Sequence, residues 1–200
     1  MFLPMSKARG THMARFYGGL LLVVIMGVLI YNYNRQADTT KIAPWQPAKI
    51  RIPSLHIDAS VLGVGATPDG KMDAPTSQAL NSPYWTSVFW YELGAAPGQA
   101  GNAIIAGHVD RVGGDPAIFW SLHTLTPGAR IYIDTGGETT LTYVVDSVKS
   151  YPANEPGSEA QNEVFGSTTE HHLNLITCSG AWTGTGYDQR LVVFSHQVAP

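Results

Sequence analysis

Hydrophobic positions fall into two regimes along this chain. Residues 16–33, FYGGLLLVVIMGVLIYNY, are apolar on every face and carry no charge. A run of about 18 such residues is long enough to cross a bilayer and does not suit a two-faced surface helix. Beyond residue 48 the pattern breaks into short segments of alternating apolar and polar positions, separated by Gly, Pro, Asn and Asp. Alternation predicts half-buried strands. Ile50, Ile52, Ile57 and Val61 open the series, and Pro68-Asp69-Gly70 reads as a turn. Residues 103–106 form an all-apolar run, a buried strand that leads into Gly107-His108. Residues 130–134 and 141–148 flank Gly136-Gly137 as a hairpin, and 173–177 and 191–195 are the last two strands. Phe119, Leu122 and Leu125 recur at helical spacing and predict one or two turns within 117–125. Residues 151–169 read as a long polar loop with room for one helical turn at 162–165. A loop of that length in a compact domain is more often functional or mobile than idle. The pattern predicts a mainly β domain, a closed barrel or a sandwich, with little helix.

The flanks of the apolar run orient it. Lys7, Arg9 and Arg15 precede it without an acid, and Phe16, Tyr17, Tyr31 and Tyr33 bracket it at headgroup level. The expected organisation is a cytoplasmic N-terminus (1–15), a transmembrane signal-anchor (16–33), a Pro-containing linker (34–47) and an exported domain (48–200). A cleaved signal peptide is the competing reading. The length of the run and the lack of a clean small-x-small site favour the anchor, and both readings export the domain. Net charge is −3 with only 14% charged residues. No basic stripe marks the domain, so nucleic-acid binding has no support.

Export changes the meaning of the only cysteine. Cys178 has no intramolecular disulfide partner, so it is either an inert buried thiol or a nucleophile. A free thiol near pKa 8.5 is mostly protonated at neutral pH and needs a base or a cation to react. Acyl transfer further requires an oxyanion donor and a proton for the leaving amine. His108 lies just past the buried strand, and Arg190 opens the strand after the cysteine strand. A short connection, 179–189, would bring Cys178 and Arg190 face to face. Arginine's permanent charge and planar fork suit an oxyanion or substrate carbonyl better than a surface salt bridge with Asp188. Asp110 orients a loop or a site residue, or caps a turn. Thr177 offers its hydroxyl or backbone to the site, or is a plain β-branched strand residue. Among Trp85, Trp90, Tyr91, Trp120 and Trp182, all but Trp182 are expected in the core, leaving Trp182 as the candidate substrate contact. His56, His123, His171, His172 and His196 read as surface or strand residues. Adjacent strand positions point to opposite faces, so His171 and His172 do not suit one shared metal.

Gly107-His108, Leu175-Ile176-Thr177-Cys178 and Asp188-Gln189-Arg190-Leu191-Val192-Val193 resemble, in order and spacing, the His, Thr-x-x-Cys-type and Arg motifs of sortases. Arg51-Ile52-Pro53-Ser54-Leu55 with Ile57-Asp58-Ala59 is similar to that family's first strands, and Pro97-Gly98 to Gly101-Asn102 fits the approach to the histidine. Ala106-Gly107-His108-Val109-Asp110 most resembles class F, then class E. The resemblance covers about 48–197. It implies a closed eight-stranded β-barrel with His108, Cys178 and Arg190 at one rim. It also implies transpeptidation at the surface of a Gram-positive or related bacterium. The partners would be surface proteins bearing a C-terminal sorting signal of LPxTG or LAxTG type, and an amine on a lipid-linked peptidoglycan precursor or a pilin. Class A members bind calcium with an acidic loop cluster. Glu155, Glu159 and Glu163 lie in the corresponding loop, but without partner carboxylates on a facing strand, so no metal and no cofactor is expected.

Other functions compete. The same residues would serve a thiol peptidase that releases the acyl group to water. An L,D-transpeptidase would show a Ser-His-Gly-Cys motif, whereas here Thr177 precedes Cys178. A non-catalytic surface module with a vestigial site would not need His108, Cys178 and Arg190 together.

Overall fold

In this computed structural model, residues 43, 45–137, 139–154 and 157–199 are described. The expected span at 16–33 lies outside them, as do most of the expected linker and Glu155. Among the described residues no helix is long and apolar enough to cross a membrane.

Eight strands form the domain: β1 (Pro47–Ile52), β2 (Ile57–Val64), β3 (Val88–Tyr91), β4 (Gly101–Ala106), β5 (Arg130–Thr135), β6 (Thr140–Pro152), β7 (His171–Trp182) and β8 (Tyr187–Val198). They close into a barrel in the order β1-β2-β3-β4-β7-β8-β6-β5. Alternation does the local work. Ile50 and Ile52, Ile131 and Ile133, and Leu173 and Leu175 point inward and are fully buried in one continuous core. Closure removes the open edges that strands of this kind would otherwise expose. Where β5 returns to β1, Arg51 clasps Asp134 through two hydrogen bonds of 2.8 Å each.

Two pairings are parallel, β2 with β3 and β4 with β7. The second explains the all-apolar run at 103–106. Ala103 and Ile105 face the core, while Ile104 faces outward into a second cluster with Val164 and Val192. Val164 belongs to a helix, α1 (Gly157–Phe165), that covers this outer face with Ala160 and Val164 buried. Two asparagine amides hold its C-terminal end. Asn174 donates to the Val164 carbonyl at 2.9 Å and Asn102 to that of Gly166 at 2.7 Å. Such bonds satisfy carbonyls that the helix itself leaves unpaired.

Several expectations are corrected. The segment read as a loop at 151–169 begins inside β6 and contains a nine-residue helix. The one or two turns expected within 117–125 amount to a single 3-10 turn, Leu122–Thr124. The last two strands run far beyond 173–177 and 191–195 and form one long hairpin, with an irregular register between Ser179 and Trp182. The end of the expected linker joins the domain: Pro47 pairs with Thr135, and the Trp45 ring meets Trp90 edge-on at 6.0 Å. Trp120, expected in the core, is exposed.

Candidate active site

The parallel β4–β7 pairing positions the two principal residues. Its register runs from Gly101 opposite His171 to Ala106 opposite Ile176. Beyond the last pair, the Gly107 amide donates to the Ile176 carbonyl at 3.0 Å and the Thr177 hydroxyl donates to the Gly107 carbonyl at 2.8 Å. His108 and Cys178 are each the next residue, so they occupy corresponding positions at the same end of neighbouring strands. Thr177 is buried and spends its hydroxyl on this splice. That bond ties the two strand ends together.

Gly107 is small for a spatial reason. A Cβ there would stand 2.5 Å from the ring of Phe119, which is fully buried. We expect Gly107→Ala to destabilise the domain by about 1–3 kcal/mol, as overpacking does. That would lower the thermal midpoint by several degrees in a scan of the purified chain; an unchanged midpoint would show that Phe119 yields.

Cys178 and Arg190 are cross-strand partners in the antiparallel β7–β8 pair. Arg190 is held through one nitrogen: Nη1 donates to the carbonyls of Gln189 at 2.9 Å and Tyr187 at 3.1 Å. Nε and Nη2 have no hydrogen-bond partner among the described residues, so both keep their donor capacity. Asp110 enters from the loop after β4. Its Oδ2 accepts the Tyr187 hydroxyl at 2.6 Å. That bond pushes the Tyr187 phenol up to about 12, so it stays a donor. Trp182 is exposed on the hairpin, edge-on to Tyr187 at 5.4 Å.

The imidazole of His108 is seated between Trp85 and Phe89, with ring centres 4.9 and 5.4 Å away. Its Nε2 lies 2.9 Å from the Pro75 carbonyl oxygen. A carbonyl only accepts, so Nε2 carries the proton and Nδ1 is the free basic atom of the neutral ring. The loop supplying Pro75 is fastened nearby by Arg111 Nη1 to the Leu80 carbonyl (3.1 Å) and by the Trp85 indole to that of Ala79 (2.8 Å).

Burial pushes the Cys178 thiol up, Arg190 opposes that rise and the Asp110 carboxylate adds to it. The thiol is therefore protonated at neutral pH and requires a base during attack. We expect the pH profile of alkylation by iodoacetamide to titrate above the ordinary thiol value of about 8.5. Asp110→Asn should move it down and Arg190→Gln up. A midpoint well below neutral would contradict this electrostatic balance.

Sequence reasoning named His108, Cys178 and Arg190 and expected Trp85 in the core, where it is buried, but missed Tyr187, Phe89 and the Pro75 carbonyl. Tyr187 carried a signal, a ring beside Asp188-Gln189-Arg190. The carbonyl carried none. Among the described residues no group of three or more His, Cys, Asp or Glu is disposed to hold a metal. Glu163 instead pairs with Lys149 and accepts from the Tyr151 hydroxyl at 2.6 Å. His171 and His172 go separate ways, to the Gly98 carbonyl (2.9 Å) and to Asn102 (3.2 Å) with Glu170 (3.0 Å).

A family model for the sortase domain matches residues 50–198. No curated protein matches the chain in sequence. Among solved structures, the fold is similar to sortase C-1 from Actinomyces oris, with a TM-score of 0.58 and 19% identity, covering 82% of this chain and 75% of that one. It is similar to sortase A from Corynebacterium diphtheriae, with a TM-score of 0.57 and 19% identity over 78% and 61% of the two chains. Sortase C from Clostridium perfringens SM101 gives a TM-score of 0.54 and 17% identity over 77% and 70%. Identities this low speak for the barrel alone, whereas the family match spans most of the chain. With its thiol, imidazole and guanidinium at one end of such a barrel, the chain belongs to the sortase family of cysteine transpeptidases.

Proposed function

We propose that this domain cleaves a sorting signal of LPxTG or LAxTG type after its threonine and transfers the acyl group to an amine of a cell-wall precursor or a pilin. The observation that carries the reading is Cys178 directly opposite Arg190, with His108 at the matching position one strand away. In the first half-reaction the Cys178 sulfur attacks the threonine carbonyl as His108 takes the thiol proton. Arg190 donors receive the oxyanion. The C–N bond then breaks, His108 gives its proton to the leaving amine, and the threonine acyl remains as a thioester on Cys178. A protonated resting thiol fits this sequence, because the base acts during attack.

The Ala106-Gly107-His108-Val109-Asp110 segment favours class F, then class E, within the family. The uncharged run at 16–33 behind basic residues supports a single-pass membrane anchor with the catalytic domain outside the cell. Trp182, exposed on the β7–β8 hairpin, is a suitable substrate contact.

Intact mass spectrometry of the full chain in detergent, incubated with LPxTG and LAxTG peptides, tests the reading. The expected result is a mass gain equal to the peptide's N-terminal fragment. It should be absent in Cys178→Ala and discharged onto added amine. Discharge to water alone would make the protein a thiol peptidase. No adduct from a folded, alkylatable sample would refute acyl transfer from these motifs.

A further inference from the structure

Tyr187 holds two opposite charges at the mouth of the site without letting them pair. Its carbonyl accepts from Arg190 Nη1 at 3.1 Å and its hydroxyl donates to Asp110 Oδ2 at 2.6 Å. Among the described residues neither Asp110 nor Arg190 joins a salt bridge, and Asp110 Oδ1 has no hydrogen-bond partner. One oxygen of this half-buried carboxylate is anchored and the other is open. We propose that Asp110 is the acceptor-recognition residue, whose open carboxylate oxygen receives the ammonium group of the incoming primary amine before it resolves the thioester on Cys178. The inference rests on the acyl-transfer reading above and adds the residue that selects the second substrate.

Chemistry favours this role over activation of the thiol. A carboxylate close to Cys178 raises the thiol and so works against the first half-reaction. It helps the second, because an alkyl amine with a pKa near that of lysine, about 10.4, arrives as a cation. A charge-assisted hydrogen bond to carboxylate is among the stronger polar contacts. Water gains nothing from it, so the carboxylate biases the thioester toward aminolysis. The step balances as follows. The bound ammonium releases one proton to solvent, and the neutral nitrogen attacks the thioester carbon to form the C–N bond. His108 takes the second proton from that nitrogen and returns it to sulfur as the C–S bond breaks. Thioester and ammonium become amide, thiol and one solvent proton.

The test is a competition on the full chain in detergent. The acyl-enzyme, formed from whichever sorting peptide acylates it, partitions between Nα-acetyl-lysine amide, a cation, and hydroxylamine, mostly uncharged at about pH 7.5. Asp110→Asn is expected to lower the ratio of lysine-amide to hydroxylamine product at least about tenfold, with partial recovery in Asp110→Glu. Raising salt should lower the ratio in the unaltered protein, as screening of a half-exposed ion pair requires; this measurement decides the matter if the variants do not fold. A ratio within about twofold of wild type in Asp110→Asn, or a salt-independent ratio, would overturn the assignment while leaving acyl transfer intact. Failure of the unaltered chain to form any thioester would instead remove the reading beneath it.

Discussion

Replacing Arg190 with lysine lowers the rate of thioester formation by about 10²–10³-fold, the range expected when one oxyanion donor is lost. The geometry explains why conserving charge does not rescue it. Arg190 anchors itself through Nη1 to the Gln189 and Tyr187 carbonyls and still has Nε and Nη2 to offer. A lysine has one nitrogen on a flexible stem. If that nitrogen stays on the two carbonyls it does not reach the substrate oxygen, and if it leaves them it is no longer positioned. Single-turnover acylation followed by intact mass is the measurement. A rate within about threefold of wild type would take Arg190 out of the oxyanion site.

His108→Gln removes the proton carrier and costs about 10²–10⁴-fold on an amide substrate. Glutamine still offers an N–H to the Pro75 carbonyl, so the loop keeps its partner while the site loses a base. The defect shrinks when the leaving group needs no proton. A peptide thioester substrate should therefore recover much of the loss, and an equal loss on both substrates would confine His108 to deprotonating the thiol.

The residues that alternate along each strand were legible. Ile50 with Ile52, Ile131 with Ile133 and Leu173 with Leu175 alternate cleanly and made the strands readable, while the choice of a closed barrel over a sandwich came from the family resemblance. The Cys178–Arg190 juxtaposition was readable because one hairpin connects them. What sequence hid has physical reasons. Ser179, Gln189 and Tyr187 are strand residues that look like loop, since the hairpin extends past the core and its side chains are not sorted by burial. Helix α1 buries little beyond Ala160 and Val164, so its apolar signal is two residues spaced by one turn. The partner of His108 is a main-chain oxygen, which any residue at position 75 would supply. Asp110 stayed open between a site role and a turn cap because its hydrogen-bond partner, Tyr187, lies on the distant β7–β8 hairpin.

The parallel splice between β4 and β7 also fixes when chemistry becomes available. Thr177 and Gly107, joined by a hydrogen bond, are 70 residues apart, and β5, β6 and α1 lie between their strands. Nascent chain that has not yet delivered β7 contains an imidazole but no thiol beside it. Such long-range pairing forms slowly compared with local structure. Competence therefore arrives with completion of the fold, and a chain still in extended form carries a dormant cysteine.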